Sequence, residues 1–265
     1  MDKLTNENYF SQQNEFDYMS YSQFKNFIEC EAQALAIAKG EFQKKSSTAL
    51  KQGAYVDAYF SGELEKFKED NPDMFTTRGE DKGKLKRDFQ VCEDVIQAIE
   101  ADEDFKSLFF SGEPQVIFTG TIADVPYKGK IDMLYPDKIV DMKCMADVKD
   151  VWDETNKRRV PFYLYYGYQI QAAIYQELVY QTTGKRLPYY LAVATKTDPV
   201  EKYAYAFSQD VLDEALELVK ALSPRFQAIK QGKLVPNECG HCGYYHKNHK
   251  FNIFDIKEIT KEDIQ

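Results

Sequence analysis

The stretch that decides the fold is Gly129-Lys130-Ile131-Asp132-Met133-Leu134-Tyr135-Pro136-Asp137-Lys138-Ile139-Val140-Asp141-Met142-Lys143. Apolar and polar residues alternate on both sides of the Tyr-Pro-Asp turn, which predicts two neighbouring β-strands. Alternate side chains on a strand share a face, so Asp141 and Lys143 point to the same side. The turn can bring Asp132 beside Asp141. Clustered carboxylates repel unless a cation lies between them, so the stretch predicts a site for Mg2+ or Mn2+.

An isolated Asp-x-Lys tripeptide is usually a surface ion pair. Here the residues around it favour a catalytic site instead. Asp132 precedes it on the partner strand, and Glu113 stands earlier still, before an apolar run at 116–118. A helix with polar residues on one face follows. Together these features favour metal-dependent hydrolysis of a phosphodiester, with Lys143 positioning or helping to deprotonate a water.

The order of Glu113, Asp132 and Asp141-Met142-Lys143 along the chain resembles the PD-(D/E)xK nuclease superfamily. Within that superfamily it is most similar to the RecB-like branch of phage and prophage exonucleases related to exodeoxyribonuclease VIII. The likeness begins at Met19-Ser20-Tyr21-Ser22-Gln23-Phe24-Lys25 and Cys30, which is similar to the opening helix of that branch. Gly53-Ala54-Tyr55-Val56-Asp57 resembles its Gly-x-x-x-His helix, with Asp57 where the histidine usually stands. Gln171 and Tyr175 resemble its Gln-x-x-x-Tyr helix.

The resemblance implies a set of roles for named residues. Glu113, Asp132 and Asp141, together with the main-chain carbonyl of Met142, are implied as metal ligands. Asp57 is either a further oxygen ligand, direct or through water, or an ordinary helix-surface residue. The implied catalytic set is Asp132, Asp141, Lys143, Glu113, Gln171 and Tyr175.

The charge of the chain bears on its binding of DNA. The formal net charge is −9, which argues against a generally basic nucleic-acid binder. Binding must then use local positive charge. The candidate DNA-binding residues are Lys157, Arg158, Arg159, Lys82 and Lys84, each of which has an alternative interpretation as part of a solvated face.

A second possible metal site lies near the end of the sequence. The segment 239–249 contains two of the five cysteines and all three histidines of the chain. Cys239, Cys242, His246 and His249 can form a tetrahedral Zn2+ site. The family resemblance suggests instead an iron-sulfur cluster on Cys30, Cys239 and Cys242, completed by His246 because Tyr245 stands at the fourth position. A metal-free vestige is the third possibility.

The 265 residues, 43% of them hydrophobic, predict one domain over 1–265, with a mostly helical portion at 1–110, a catalytic core at 111–235 and a Cys/His-rich tail at 236–265. The fold class predicted is α/β, with a restriction-endonuclease-like core in which helices flank a central mixed sheet. Helices are predicted at 20–39, 47–60, 82–101, 164–183 and 209–232. Strands are predicted at 115–119, 122–134, 138–144, 189–195 and 202–208.

The residues predict metal-dependent hydrolysis of a phosphodiester. The family resemblance implies that the protein is a DNA exonuclease acting on linear duplex ends, and it also implies prophage recombination, a single-strand annealing partner and a homo-oligomeric ring. Two alternatives stay open. One is a catalytically impaired module that binds DNA ends, and the other is a restriction-like or RNA-processing nuclease on the same fold. The sequence has no long apolar span and no signal-peptide pattern, so we expect a cytoplasmic protein without membrane contact.

Overall fold

The computed structural model describes residues 3–154, 156–251 and 253–263 of the chain. The strands are β1 (Glu113–Ile122), β2 (Val125–Leu134), β3 (Ile139–Met145), β4 (Val151–Asp153), β5 (Arg158–Val160), β6 (Tyr189–Thr195) and β7 (Lys202–Ala206). The α-helices are α1 (Gln12–Asp17), α2 (Tyr21–Glu29), α3 (Glu31–Ala38), α4 (Thr48–Phe60), α5 (Leu64–Asp70), α6 (Arg87–Glu100), α7 (Glu103–Phe109), α8 (Phe162–Tyr165), α9 (Tyr168–Thr183), α10 (Gln209–Lys230) and α11 (Gly243–Asn248). Short 3-10 turns cover Pro72–Met74, Ile253–Asp255 and Lys261–Asp263.

Five of these strands form one mixed sheet in the order β1-β2-β3-β6-β7. Strands β1 and β2 are an antiparallel hairpin, whose turn residues Ala123 and Asp124 have φ angles of 49° and 60°. That left-handed backbone matches the twist of two paired strands. Strand β3 runs antiparallel to β2 and parallel to β6, and β6 is antiparallel to β7. The parallel pair requires a crossover, which α8 and α9 supply.

Strand β3 separates two apolar cores because its side chains alternate between the faces of the sheet. Ile139 packs into the core that contains Ile174 of α9 and Val219 of α10. Val140 and Met142 belong to the opposite core, which α4 and α6 cover. Helices therefore flank the sheet on both faces, and the predicted α/β architecture is confirmed.

The N-terminal segment is fixed to the outside of the β1–β2 hairpin. The Met19 N–H donates to the carbonyl of Pro126 at 2.8 Å, and the Lys128 N–H donates to the carbonyl of Met19 at 2.8 Å. The Lys128 side chain is completely buried, and its ammonium donates to the Tyr9 carbonyl and to Glu15 Oε1. A buried ammonium requires such acceptors, so Lys128 ties the segment before α2 to the sheet.

A second buried ammonium holds the same segment from the other side. Lys230, at the end of α10, donates to the Tyr18 carbonyl at 2.8 Å and to Gln23 Oε1 at 3.0 Å. The N-terminal helices thus contact both the central sheet and the last long helix.

Several element boundaries differ from those predicted. The helix predicted at 20–39 is broken between α2 and α3, because Cys30 has the extended φ of −164°. The helix predicted at 164–183 is broken at Gly167, whose φ is +77°. Helix α6 begins at Arg87 rather than at Lys82, because Leu85 forms a β-bridge with Phe75. Elements α1, α5, α7, α11 and the β4–β5 hairpin were not predicted.

Among the described residues, no helix combines the length and the apolar character that crossing a membrane would need.

Candidate active site

Asp132 and the pair Asp141 and Lys143 come together at the junction of β2 and β3. The strand register, with Met133 opposite Val140, brings Asp132 to the side of Asp141. Asp132 Oδ2 accepts a hydrogen bond of 2.9 Å from the Met142 N–H. The Lys143 ammonium forms an ion pair with Asp141, which is 1% exposed. The structure thus places the buried carboxylate of Asp141, the partly buried carboxylate of Asp132 and the ammonium of Lys143 next to one another.

The charges of these groups influence one another strongly. Burial raises the pKa of Asp132 well above its usual value, and the carboxylates of Asp141 and Asp57 raise it further. Burial alone would lower the pKa of Lys143, but Asp141 and Asp132 outweigh that effect and raise it. Lys143 is therefore held as an ammonium in the absence of a metal, because the carboxylates around it favour the charged form.

Helix α4 contributes a third carboxylate, Asp57. Gln115 of β1 donates from Nε2 to Asp57 Oδ1 at 3.0 Å and to Oδ2 at 3.2 Å. Burial raises the pKa of Asp57 to about 6, with Asp141 adding to the rise while Lys130 and Lys143 oppose it. Asp57 therefore faces the cluster and is not an ordinary helix-surface residue.

Gln115 has an unusual backbone conformation for a non-glycine residue, with a φ of 55°. Such positions are sparsely populated and concentrate at functional sites. The register pairs Pro114 with Met133 and Val116 with Ile131, which sets Gln115 level with Asp132. The residue of β1 that reaches the carboxylates is thus Gln115.

Glu113 is not brought to this cluster. It lies opposite Leu134 at the start of β1, its side chain is exposed, and it lines a surface cavity of about 410 Å³ with Ser111 and Tyr135. The sequence reasoning missed Gln115 and Lys130. No sequence signal marks Gln115, because its contact with Asp57 depends on a left-handed backbone at that position.

Helix α9 supplies the remaining contacts. Gln171 Nε2 donates to Asp141 Oδ1 at 2.6 Å, which fixes the orientation of that carboxylate. Tyr175, one turn later and buried, lies with its ring against the backbone of Gly129 on β2. Burial raises the pKa of Tyr175 well above its usual value, so the phenol stays protonated. Tyr168 places its ring 5.3 Å from the Lys143 ammonium.

The arrangement fits a hard divalent cation. Asp141 Oδ2 is buried and accepts no well-directed hydrogen bond from the described residues, although Lys143 lies against it. Carboxylate and carbonyl oxygens are the ligands that Mg2+ prefers, and Met142 lies between Asp141 and Lys143 with its carbonyl on the same strand. In the described part of the chain, Asp57, Asp132 and Asp141 do not bring oxygens within 4.8 Å of one another as a group. Contact of Asp57 with an ion through water fits this wider spacing, since Mg2+ retains several waters.

The basic residues lie on two exposed segments. Lys157, Arg158 and Arg159 lie on the β4–β5 hairpin, where Arg159 pairs across the strands with Trp152, which is 45% exposed. Lys82 and Lys84 lie in the loop before α6, and Lys84 forms an ion pair with Asp81 at 2.7 Å.

A separate group forms where the chain passes between α2 and α3. There the sulfurs of Cys30, Cys239 and Cys242 all lie within 4.8 Å of one another. The ring of His246 is not part of this group among the described residues.

Comparison with known proteins agrees with this geometry. The family model described as "PDDEXK-like domain of unknown function (DUF3799)" matches residues 20–248. Among solved structures, the crystal structure of a protein from Eubacterium rectale described as a "putative exonuclease" superposes with a TM-score of 0.90 at 37% sequence identity, covering 100% of this chain and 98% of that one. No match was found among curated proteins. The predicted restriction-endonuclease-like core is therefore confirmed, and the chain belongs to this family of PDDEXK-like domains.

Proposed function

We propose that this protein is a divalent-metal-dependent deoxyribonuclease that digests linear DNA from its ends. The observation that carries the proposal is the cluster of Asp132, Asp141 and Lys143, in which Asp141 is buried and the other two are partly buried, with Asp57 facing it from α4. The likeness to a protein described as a "putative exonuclease", at 37% identity over the whole chain, supports action from DNA ends.

The residues of the cluster divide into ligands and groups that hold them. Asp132, Asp141 and the Met142 carbonyl would bind Mg2+ or Mn2+, with Asp57 acting through water. When bound, such an ion neutralises phosphate charge and lowers the pKa of a bound water. Gln171 orients the Asp141 carboxylate and Gln115 orients Asp57. The Lys143 ammonium would hold a phosphate oxygen and align the water for in-line attack.

We assign the DNA contact to the β4–β5 hairpin. A negatively charged chain needs local cations to approach phosphate, and this hairpin carries Lys157, Arg158 and Arg159 on exposed positions. The exposed Trp152 beside Arg159 offers a ring on which an unpaired base can stack. The hairpin also leads directly into α8 and α9, and α9 carries Gln171.

Replacing Arg158 by alanine should weaken DNA binding and reduce the slope of log K against log salt by about one. Fluorescence anisotropy with a labelled duplex across a salt series measures that slope. Lys82→Ala is the matched control, because it removes one exposed cation from the other basic segment. Equal losses in the two variants would contradict the assignment to the hairpin.

The biological setting of the proposal rests on the family resemblance alone. It comprises prophage recombination in the cytoplasm, transfer of the resected strand to a single-strand annealing protein, and assembly of a homo-oligomeric ring around DNA. Light scattering on the purified protein tests the ring, since a monomer at working concentration would rule it out.

The experiment that tests the activity uses end-labelled linear duplex with Mg2+, Mn2+ or EDTA. We expect label to be released in either metal and retained in EDTA. Asp141→Asn and Lys143→Met should each lower the rate by at least about 100-fold. Glu113→Gln should keep a rate comparable to wild type, because the structure leaves Glu113 outside the cluster. A large loss in Glu113→Gln together with full activity in Asp141→Asn would contradict this site.

Closed circular DNA and RNA define the substrate class. An exonuclease leaves covalently closed circles intact, so circles cut as fast as linear duplex would identify a restriction-like enzyme instead. RNA cut in preference to DNA would identify an RNA-processing nuclease. The presence of Asp57 at the usual histidine position favours one further candidate, a DNA-end-binding module. Tight binding of duplex ends without cleavage in either metal would support that candidate.

A further inference from the structure

Three of the five cysteines come together at a place remote in sequence from the carboxylate cluster. Cys30 lies at the junction of α2 and α3 and is buried, whereas Cys239 and Cys242 lie just before α11. The Sγ atoms of Cys30 and Cys242 are 3.7 Å apart, and all three sulfurs lie within 4.8 Å of one another. We propose that these thiolates bind a single zinc ion.

The sulfur separation is the first argument for one ion. Zinc is bound tetrahedrally with Zn–S distances of about 2.3 Å, which places two sulfurs of one ion about 3.8 Å apart. The observed 3.7 Å between Cys30 and Cys242 agrees with that value. In a four-iron cluster each thiolate binds a different iron, and in a two-iron cluster no more than two thiolates share one iron. Three sulfurs that all lie within 4.8 Å of one another therefore fit a single shared ion better than either cluster.

The backbone around the sulfurs is the second argument. The Cys242 N–H donates to Cys239 Sγ at 3.3 Å, and the Tyr245 N–H donates to Cys242 Sγ at 3.4 Å. Amide donors aimed at sulfur stabilise the thiolate form that binds a metal. Gly240 has a φ of +77°, a conformation that lets the chain turn tightly between the two cysteines. The Cys-x-x-Cys segment is thus already folded around its sulfurs.

The number of sulfurs is the third argument. Where a fourth cysteine would continue the spacing, the chain has Tyr245, whose ring stacks on His249 with 4.6 Å between the centroids. Among the described residues the group therefore offers three thiolates, one short of the set that holds a four-cysteine cluster. A zinc ion accepts three thiolates with a fourth ligand from outside this group.

The proposed ion would strengthen a junction between the two ends of the described chain. At this junction Arg225 of α10 donates to both oxygens of Glu31, at 2.7 and 2.8 Å. The Asn237 N–H also donates to Glu31 Oε2 at 2.7 Å, and the Ala32 N–H donates to the Asn237 carbonyl. The role inferred for zinc is to hold the segment before α11 against the N-terminal helices.

The test is the metal content of the full-length protein purified without chelators, measured by mass spectrometry of the elements. We expect about one zinc per chain in wild type, and its loss in Cys30→Ser, Cys239→Ser and Cys242→Ser. Cys144→Ser is the matched control and should keep its zinc, because Cys144 lies on β3 outside the group. With Mg2+ kept in excess throughout, removing zinc from wild type with a zinc-selective chelator should lower the melting temperature, whereas Cys242→Ser should melt at one temperature with or without that chelator.

Cobalt provides a second readout that does not depend on the variants folding. Co2+ bound to wild type in place of zinc should give the visible bands of a tetrahedral site together with a sulfur-to-metal charge-transfer band, and added Zn2+ should abolish both. Wild type that takes up neither zinc nor cobalt would overturn the proposal. A brown protein that contains iron and acid-labile sulfide would also overturn it.

Discussion

At the residue scale, the cluster around Asp132 concentrates negative charge where little water can screen it. Asp141 raises the pKa of both Asp57 and Asp132, and the cations Lys143 and Lys130 oppose that rise at Asp57. Such an arrangement destabilises the metal-free fold and favours a bound cation. Stability and metal affinity should therefore respond in opposite directions when one carboxylate is removed.

Asp57→Asn provides that measurement. The asparagine keeps the size of the side chain and removes its charge, so the free energy of unfolding in EDTA at pH 7 should rise by at most roughly 3 kcal/mol, because the pKa of Asp57 is raised from 3.8 to about 6. Mg2+-supported cleavage should fall by about 10–100-fold, as for a group that holds a metal through water. Urea unfolding in EDTA and a Mg2+ titration of the cleavage rate measure the two effects. A loss of stability with unchanged activity would show that Asp57 has only a structural role.

Part of this site was predictable from the sequence, because Asp132, Asp141 and Lys143 lie within 12 residues and strand geometry relates them. The contact between Asp57 and Gln115 was not predictable. It joins residues 58 apart, and it depends on a left-handed backbone at Gln115 that glutamine does not signal. Glu113, the more obvious candidate on β1, lies opposite Leu134 with an exposed side chain.

At the element scale, α9 lies unusually close to the β1–β2 hairpin. A Cβ added at Gly129 would lie 3.0 Å from the Tyr175 ring and 3.1 Å from Leu178. Gly129 therefore allows the helix to approach the sheet and to carry Gln171 to Asp141. Gly53 of α4 has free space around it instead, since a Cβ added there would meet nothing within 4 Å.

We expect Gly129→Ala to destabilise the fold by about 1–3 kcal/mol, because the added methyl group pushes α9 outward. Cleavage should fall as well, since the Gln171 contact moves with the helix. Gly53→Ala is the matched control and should stabilise by about 0.5–1 kcal/mol, the difference in helix propensity between the two residues. The midpoints of urea unfolding show whether each variant is more or less stable than wild type. Equal and small effects in both would contradict the close approach of α9.

The positions of helices and strands followed well from the sequence where patterns were regular. Strand β6 was predicted at its observed bounds, and α4 differs from its prediction by one residue at the start. The two helix breaks were not predicted, because nothing in the local pattern marks Cys30 as extended, and because Gly167 is compatible with either a helix interior or a helix start.

At the scale of the whole molecule, buried lysines attach the N-terminal segment to the rest of the protein. Lys128 is completely buried and Lys230 is 2% exposed. Burial lowers the pKa of Lys230 to about 8 even though carbonyl oxygens surround its ammonium. Ionisation of this lysine is therefore linked to folding, and the linkage gives a pH-dependent stability with a definite sign.

Between pH 8 and the ordinary lysine pKa of 10.5, the unfolded chain binds a proton that the folded chain does not. The free energy of unfolding of wild type should therefore rise with pH across this window relative to Lys230→Met, by roughly 3 kcal/mol at most. Urea unfolding of both proteins in EDTA at several pH values within the window gives the difference. Parallel profiles would mean that Lys230 stays charged in the folded protein.

The sheet and the helices on its faces were predictable as a whole, because strand and helix patterns alternate after β2 as a mixed sheet requires. The attachment of the N-terminal segment was not. It depends on Lys128 and Lys230, and lysine in a sequence predicts exposure rather than burial.

The contacts of Lys230 also affect how the protein is made. Its acceptors Tyr18 and Gln23 are translated first, and their partner emerges from the ribosome 212 and 207 residues later. Until Lys230 has been synthesised, α10 cannot pack against the apolar face of α2. That face is then exposed on the nascent chain, and chaperones bind such exposed apolar surfaces. Chains that stop short of Lys230 should be degraded, so few incomplete copies of this protein would accumulate in the cell.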